Sequence, residues 1–229
     1  MPMTEYFRIE ESINPRIIGP DYPQCQDYLK SYNDELSNKR SVYSFAFFHG
    51  KRADITPDLN SIVAREKAVM TDLLSCSMTF GADMVFSTRL LETIQLFRAS
   101  EFQVFEATIH KKKISHTNYR WIHFVYGLEP FIDFKKSCFY YPDPIVQEKA
   151  NDIRDYEGLQ KFRLIQEKHW FLTAREIHLS CAPFDFFVVG DVDQNVFVSK
   201  RLKNAIETSG FTGVEFFEAP YVSFASREA

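Results

Sequence analysis

A strand, a helix and a second strand follow one another closely in residues 197–217, and this succession constrains the fold more than any other feature of the sequence. Ser199 stands where an N-cap side chain accepts a hydrogen bond from an amide of the first helical turn. Gly210 lies just past the helix, where a left-handed cap is favoured, and Val214–Phe217 has the β-branched and aromatic residues of a strand. One apolar helix face has the spacing i, i+3, i+4: Leu202, Ala205 and Ile206. The pattern predicts a helix packed against a sheet, and none of these residues is typical of a catalyst.

The same succession occurs earlier in the chain, around Gly81–Phe97, at an offset of 112 residues. Both stretches run from an apolar strand through a serine cap and a one-faced helix to a second apolar strand. The identities are Ser87 with Ser199, Arg89 with Arg201, Leu90 with Leu202, Ile94 with Ile206 and Phe105–Ala107 with Phe217–Ala219. The sequence therefore predicts a duplicated strand–helix–strand unit.

The two serine–arginine pairs allow two interpretations. An arginine in the first turn of a capped helix can join the exposed amides in binding an anion. Alternatively, the arginine pairs with a carboxylate of the fold while the serine satisfies the helix amides. The second interpretation is favoured, so Ser87, Arg89, Ser199 and Arg201 are predicted to be structural.

Most of the remaining chain alternates aromatic strands with loops. Residues 61–75 are predicted to be helical, because apolar residues there are interspersed with charged ones. The charged stretch 145–157 is predicted to be a surface helix or linker between an N-terminal half, 1–145, and a C-terminal half, 146–229. Strands are predicted at Tyr6–Ile9, Tyr43–Phe48, Phe102–Ile109, Tyr119–Tyr126, Ile177–Leu179, Phe184–Val189 and Val196–Val198. The predicted fold class is therefore α+β, with a mixed, aromatic-rich β-sheet and several helices.

Composition limits the classes of protein to which the chain can belong. Its 229 residues include 23 phenylalanines and 11 tyrosines, which favour strands around a thick core. The net charge of −4 and the pI of about 5.9 argue against a nucleic-acid partner, because such a partner requires a basic surface. The N-terminus lacks the pattern of a signal peptide, and no apolar stretch approaches the roughly 20 residues of a membrane span. We therefore expect a cytoplasmic protein with reduced thiols and no membrane contact.

Motifs for catalysis and metal binding are missing or incomplete. Asp191-x-Asp193-x-Asn195 resembles the start of a calcium-binding loop. The glycine required at the sixth position of such a loop is Val196 here, and the acid required at the twelfth is Leu202. The four cysteines show no zinc-ligand spacing, and three histidines flank one predicted hairpin: His110, His116 and His123. Neither a G-x-S-x-G nucleophile elbow nor a glycine-rich phosphate loop is present. The sequence therefore predicts no catalytic residue, no bound metal and no cofactor.

Three stretches of the sequence resemble a family of bacterial immunity proteins. They are Val196–Ile206 with Gly210–Phe216, Thr71–Leu74 with Ser87-x-Arg89-Leu90, and Trp121–Tyr126 leading to Asp133 and Ser137. The resemblance covers residues 70–140 and 160–218 and rests on capping and packing motifs. The family is associated with polymorphic toxin systems and was first described as a domain of unknown function.

The resemblance implies that the chain neutralises a cognate toxin by binding it inside the producing cell, without catalysis. Such a protein needs a rigid scaffold and a complementary surface. Asp191 and Asp193, on a hairpin turn that we expect to be exposed, are the candidate partner-binding residues, since acidic groups speed the encounter with a basic toxin. Two alternatives stay open: an enzyme whose site is assembled from distant residues, and a regulatory protein-interaction module unrelated to toxins.

Overall fold

Strands dominate the computed structural model, which describes residues 5–29, 38–41, 48–141, 149–150, 153–165 and 172–225. The strands in these ranges are β1 Tyr6–Glu11, β2 Cys25–Tyr28, β3 Ile62–Ala64, β4 Leu73–Leu74, β5 Met84–Ser87, β6 Phe102–Lys111, β7 Ile114–Phe124, β8 Cys138–Tyr140, β9 Thr173–Leu179, β10 Phe186–Gly190, β11 Asp193–Ser199, β12 Val214–Glu218 and β13 Val222–Phe224. The helices are α1 Pro15–Ile18, α2 Thr88–Ile94, α3 Tyr156–Ile165 and α4 Lys200–Thr208. Mixed sheets with aromatic clusters confirm the predicted α+β class.

Two of the sequence predictions fall wholly or partly outside the described residues. The strand expected at Tyr43–Phe48 lies outside them except for Phe48. The stretch 145–157 is described only in part, and α3 begins near its end, at Tyr156. No described helix is long and apolar enough to cross a membrane.

The helix predicted over residues 61–75 is wrong. This stretch instead contains β3 and β4 with an irregular connection between them. Ile62 and Val63 are β-branched and pair in parallel with Ile109 and His110 of β6, which leaves Ile62 fully buried. The charged residues that suggested a helix lie in the connection. Long-range strand pairing therefore overrides a local pattern of mixed propensity.

Two parts of the fold share one strand arrangement. In the first unit, residues 72–124, the hairpin β4–β5 leads through α2 to β6, and β7 lies antiparallel between β5 and β6. In the second unit, β1 with residues 185–218, the hairpin β10–β11 leads through α4 to β12, and β1 lies antiparallel between β11 and β12. The fold thus repeats the strand–helix–strand pattern that the sequence predicts.

The two units sit in different sheets. The first unit belongs to a six-stranded sheet of order β2-β3-β6-β7-β5-β4, and the second forms a four-stranded sheet of order β10-β11-β1-β12. A third sheet, of order β13-β9-β8, packs its buried residues into one core with the second unit. Because β1 comes from the proposed N-terminal half, the halves 1–145 and 146–229 share the second unit's sheet.

A buried core joins the two units. Phe186 of β10 lies within it, fully buried, with its ring centroid 5.1 Å from that of Phe124. Side chains of both helices enter the same cluster: Leu90 and Ile94 from α2, Leu202 and Ile206 from α4. Successive residues of a strand point to opposite faces, so Phe187 packs instead in the core shared with the third sheet. Burying a large apolar side chain contributes about 1.5–3 kcal/mol, so this shared core holds the units together.

Candidate functional site

The same polar cluster stands at the start of the helix in each unit. In the first unit, the Ser87 hydroxyl accepts a hydrogen bond from the Leu90 amide at 3.2 Å and donates one to Asp72 Oδ1 at 2.7 Å. Arg89 Nη2 donates to the other carboxylate oxygen, Oδ2, at 2.9 Å. The serine therefore satisfies a helix amide while the aspartate neutralises the arginine.

The second unit reproduces this geometry with different residues. The Ser199 hydroxyl accepts from the Leu202 amide at 3.2 Å and donates to Asp185 Oδ1 at 2.7 Å. Arg201 Nη2 donates to Asp185 Oδ2 at 2.6 Å. The two arginines remain largely exposed, whereas both aspartates are mostly buried.

Residues of the other unit complete each polar cluster. The amide of Thr212, after α4, donates to Asp72 Oδ2 at 2.9 Å, and the Arg89 guanidinium lies 4.5 Å from the ring centroid of Phe211. Reciprocally, the amide of Arg98, after α2, donates to Asp185 Oδ2 at 3.2 Å. We call Asp72, Ser87, Arg89, Phe211 and Thr212 the first clamp.

The second clamp consists of Asp185, Ser199, Arg201, Phe97 and Arg98, with the Arg201 guanidinium 5.1 Å from the Phe97 ring centroid. In both clamps the backbone bonds run both ways, since the Asp72 amide donates to the Thr212 carbonyl and the Asp185 amide to the Arg98 carbonyl. The clamps therefore tie each helix start to the other unit.

The clamp carboxylates are ionised at neutral pH. Burial raises the pKa of Asp72, but hydrogen bonds from Thr212, Ser87 and Arg89, with the arginine charge, outweigh burial and bring the pKa below its ordinary value. Burial likewise raises the pKa of Asp185, and bonds from Arg201, Ser199 and Arg98 lower it further than burial raises it. An anion binding at either arginine would compete with a carboxylate already in place, so the geometry favours the structural interpretation.

The two candidate partner-binding acids lie at the turn between β10 and β11, and neither is fully exposed. Asp191 Oδ1 is 3.5 Å from His49 Nε2, and its side chain is 37% exposed. Asp193 accepts hydrogen bonds from the Asn195 amide at 2.9 Å and from the Tyr221 hydroxyl at 3.0 Å. Burial raises the pKa of Asp193, and these bonds offset only part of that effect. Of the two, Asp191 is therefore the more available to a partner.

Two cavities share Tyr221 in their linings. The smaller, of about 560 Å³, opens at this turn and is lined by Asp191 and Asp193 among others. The larger, of about 850 Å³, lies between the end of the second unit and the third sheet. Its charged lining residues are mostly acidic: Glu5, Glu176 and Glu218, with Arg175 as the one strong base. The charges of the larger cavity therefore favour a basic ligand over an acidic one.

A serine–histidine pair also lines the larger cavity. The Ser223 hydroxyl is 2.5 Å from His178 Nδ1, and the His178 amide donates to the Ser137 hydroxyl at 3.0 Å. A catalytic base of this kind needs a third group to orient it. Within the part of the chain that the structure describes, no carboxylate hydrogen-bonds to the His178 ring.

The histidines that flank the predicted hairpin do not converge. His110 Nε2 bonds to the Asn60 carbonyl at 2.7 Å, and His116 lies across the hairpin from Ile109. His123, at the far end of β7, is buried with Nδ1 2.9 Å from Asp83 Oδ1. No cluster of metal ligands occurs among the described residues.

Two cysteines far apart in sequence lie side by side in the fold. Cys25 and Cys76 form an isolated parallel bridge, and both are buried free thiols. The pKa of the Cys25 thiol is raised well above its ordinary value, mainly by the hydrogen bond with Cys76 and, to a lesser extent, by burial. Sequence spacing gives no sign of this pair.

The clamp aspartates were also missed from sequence, although a signal was present. Asp72-Leu73-Leu74 and Asp185-Phe186-Phe187 are both an acid followed by two apolar residues, just before the capped helix. They lie 113 residues apart, one more than the offset of the serines, so an ungapped comparison at 112 hides the match. The larger cavity gave no such signal, because its walls come from β1, β9 and the β12–β13 connection.

One comparison with known proteins identifies the family. The model of the immunity protein family Imm11 matches residues 17–220. The matched range includes α2, α4 and both clamps. It also includes the residues that line the two cavities, except for Glu5, Tyr6, Phe7, Tyr221, Val222 and Ser223. The chain belongs to the Imm11 family. A search among curated proteins gives no match. The resemblance to a family of immunity proteins, drawn from the capping and packing motifs, is therefore confirmed.

Proposed function

We propose that this Imm11 protein neutralises a cognate bacterial toxin by binding it inside the producing cell, and that it does so without catalysis. The observation that carries the proposal is the family match over residues 17–220. An immunity protein must act on a toxin present in the same cell. Binding is the simplest action that a scaffold with a large exposed surface can perform.

The clamps support this proposal because they make the scaffold rigid. Both helix starts are held by ionised carboxylates and by backbone bonds from the other unit. A surface that is ordered before binding loses less conformational entropy on association. The two units can therefore present a fixed binding face.

The acidic residues that line the two cavities support a basic toxin as the partner. Asp191, with Asp193 behind it, borders the smaller cavity, and three glutamates line the larger one. The net charge of −4 has the same sign. Complementary charge accelerates association and excludes wrong partners, so we propose Asp191 as a direct contact, with Asp193, held by Asn195 and Tyr221, beside it.

One observation favours the enzyme alternative, namely the contact between Ser223 and His178 at a cavity. Two substitutions separate the alternatives. If the protein acts by binding, any loss of protection by a folded Ser223→Ala or His178→Ala variant is matched by weaker toxin binding, because both residues line the cavity. Loss of protection by both variants, with toxin binding unchanged, would favour catalysis.

Co-expression tests the proposal in cells. The toxin domain encoded beside this gene is induced together with the wild-type protein, the Asp191→Lys variant or the Asp54→Lys variant. Asp54→Lys is the matched control, because Asp54 is an exposed acid that lines neither cavity. We expect survival with the wild type and with Asp54→Lys, and weaker protection with Asp191→Lys. Equal death with and without the wild-type protein would refute immunity against that toxin.

A further inference from the structure

The second unit ends in an open strand edge. β12 pairs antiparallel with β1 on one side and is the last strand of its sheet on the other. The Ser12 amide donates to the Gly213 carbonyl at 2.8 Å, and the Ala219 amide donates to the Tyr6 carbonyl at 3.0 Å. Because antiparallel pairing alternates, these two bonds show which β12 residues face β1.

Every second residue of β12 therefore presents its backbone outward. These residues are Val214, Phe216 and Glu218, whose N–H and C=O groups have no hydrogen-bond partner among the described residues. A row of unpaired donors and acceptors is a template for an added strand. The edge offers three such residues without a register shift.

Other parts of the chain contact the matching edge of the first unit. β6 corresponds to β12, with Phe105–Ala107 matching Phe217–Ala219. Within the matching part of β6, the Gln103 side chain bonds to both the amide and the carbonyl of Ala53, at 2.7 and 3.0 Å. Farther along β6, β3 adds a parallel strand at Ile109 and His110. Among the described residues, no such strand or side-chain bond is found at the outer backbone of β12.

The edge of β12 is protected by acidic side chains alone. Proteins protect such edges with charged residues, lysine especially, with proline or with a bulge. β12 contains no lysine, proline or bulge, and its charged residues are Glu215 and Glu218. Glutamates repel an acidic strand and attract a basic one, so the edge is suited to pairing with a basic segment.

The charges around this edge select a basic occupant. Glu218 lies at the end of β12 and also lines the larger cavity, together with Glu176. Neither forms an ion pair with any residue in the described ranges. Two bases of this region are already engaged, since Lys200 pairs with Glu5 at 2.8 Å and Arg175 lies over the Tyr140 ring. An incoming lysine or arginine would meet two carboxylates that have no ion-pair partner in the described part of the chain.

We propose that an extended, basic segment of the toxin adds to β12 as a further strand and places a lysine or arginine side chain in the larger cavity. The proposal rests on the proposed function and names the surface through which it operates. Backbone pairing supplies affinity, and the cavity supplies selection for a basic side chain.

Hydrogen exchange followed by NMR tests this pairing residue by residue. The probe is the purified toxin domain encoded by the adjacent gene. In the free protein, the amides of Val214, Phe216 and Glu218 exchange fast, whereas those of Glu215, Phe217 and Ala219 are protected by β1. In the complex, we expect the first three to become protected and the second three to stay so.

Each other outcome of this experiment has a distinct meaning. A complex that forms while the three outward amides still exchange fast overturns the edge proposal and leaves the proposed function intact. A toxin domain that does not bind at all contradicts the proposed function. Protection of the same amides without toxin, together with a dimer in sedimentation, overturns the proposal because a second copy would then occupy the edge.

Two substitutions at one position separate the backbone contribution from the charge. Glu218→Pro removes an outward amide that β1 does not use, and we expect about tenfold weaker toxin binding or more. Glu218→Ala keeps the amide, so we expect a smaller loss that disappears at high salt. Equal affinity of Glu218→Pro and wild type, with unchanged thermal stability, would overturn the added strand. If Glu218→Pro does not fold, the exchange experiment on the wild type decides.

Discussion

The two units contain the same strand–helix–strand pattern and differ in what covers their last strand. In the first, β6 is flanked by β7 and β3 and lies inside a six-stranded sheet. In the second, β1 is the only strand of the described ranges that lies beside β12. The clamps, by contrast, are nearly identical, down to the 2.7 Å serine–aspartate bond in each. The repeated part therefore builds the scaffold, and the part that differs includes the β12 edge that we propose as the binding surface.

The central strand of each unit also has a different origin. β7 follows β6 directly through a tight hairpin, whereas β1 comes from the start of the chain and reaches the second unit across the whole sequence. The second unit consequently depends on long-range pairing that the first does not need. Folding of the second unit is expected to be the slower of the two, because non-local contacts cost more loop-closure entropy.

The largest expected effect comes from the core that joins the units. Phe186→Ala should lower the free energy of unfolding by about 3–5 kcal/mol, because it removes a fully buried ring. Leu73→Ala, at the matching position of the first unit, should cost about 2–5 kcal/mol. Urea denaturation measures both. A loss below about 1 kcal/mol for Phe186→Ala would show that the shared core contributes little.

The clamp carboxylates come next. Asp72→Ala and Asp185→Ala each leave a serine, an arginine and a backbone amide without their acceptor, so each should cost about 2–3 kcal/mol. The two losses should agree to within about 1 kcal/mol if the clamps are equivalent. The Asp72→Asn and Asp185→Asn variants keep the shape of the side chain and remove its charge. Their denaturation therefore measures the contribution of the carboxylate charge to the free energy of unfolding. Clearly unequal losses would break the comparison between the units.

Local sequence signals predicted the parts of the fold that local chemistry determines. Ser87 and Ser199 each stand before a helix start and show their cap by residue type alone. The stretch 61–75 was predicted as a helix because its strand partner, β6, lies outside any local window. Likewise, β12 is the last strand of its sheet because β1 lies between it and β11. The sequence pattern within β1 or β12 does not show this arrangement. Sequence therefore predicted the units, and the open surface required their three-dimensional arrangement.

The serine caps should have a smaller and equal effect in the two units. Ser87→Ala and Ser199→Ala each remove the acceptor for one helix amide and a donor to the clamp aspartate, at a cost of about 1–2 kcal/mol. Thermal unfolding monitored by circular dichroism measures the change. An additional Ser87→Thr variant, which keeps the hydroxyl, serves as the control and should stay close to the wild type.

The smallest expected effect is a pH dependence from the buried histidine of the first unit. Burial lowers the pKa of His123, but its bond to Asp83, the Asp83 charge and the bonds to the Lys51 and Phe48 carbonyls outweigh burial and raise it. The charged form is therefore favoured in the folded state. Its stabilisation is fully present below the unfolded pKa of about 6.5 and is lost as pH rises through the higher folded value.

Urea titrations at a series of pH values check this effect. Stability should decline modestly as pH rises above about 6.5, and a His123→Gln variant should flatten that decline. Asp185 is not among the groups that shift the pKa of His123, so Asp185→Asn should leave the same decline in place. A wild-type stability that rises over this pH interval would show that His123 is neutral in the folded protein.

Titration of purified toxin with this protein tests the central claim most directly. If a rigid scaffold neutralises the toxin by binding, toxin activity falls in proportion to the protein added and reaches its minimum at one molecule per toxin. Full inhibition well below one molecule per toxin would indicate turnover and contradict the account, as would undiminished activity in a large excess of the protein.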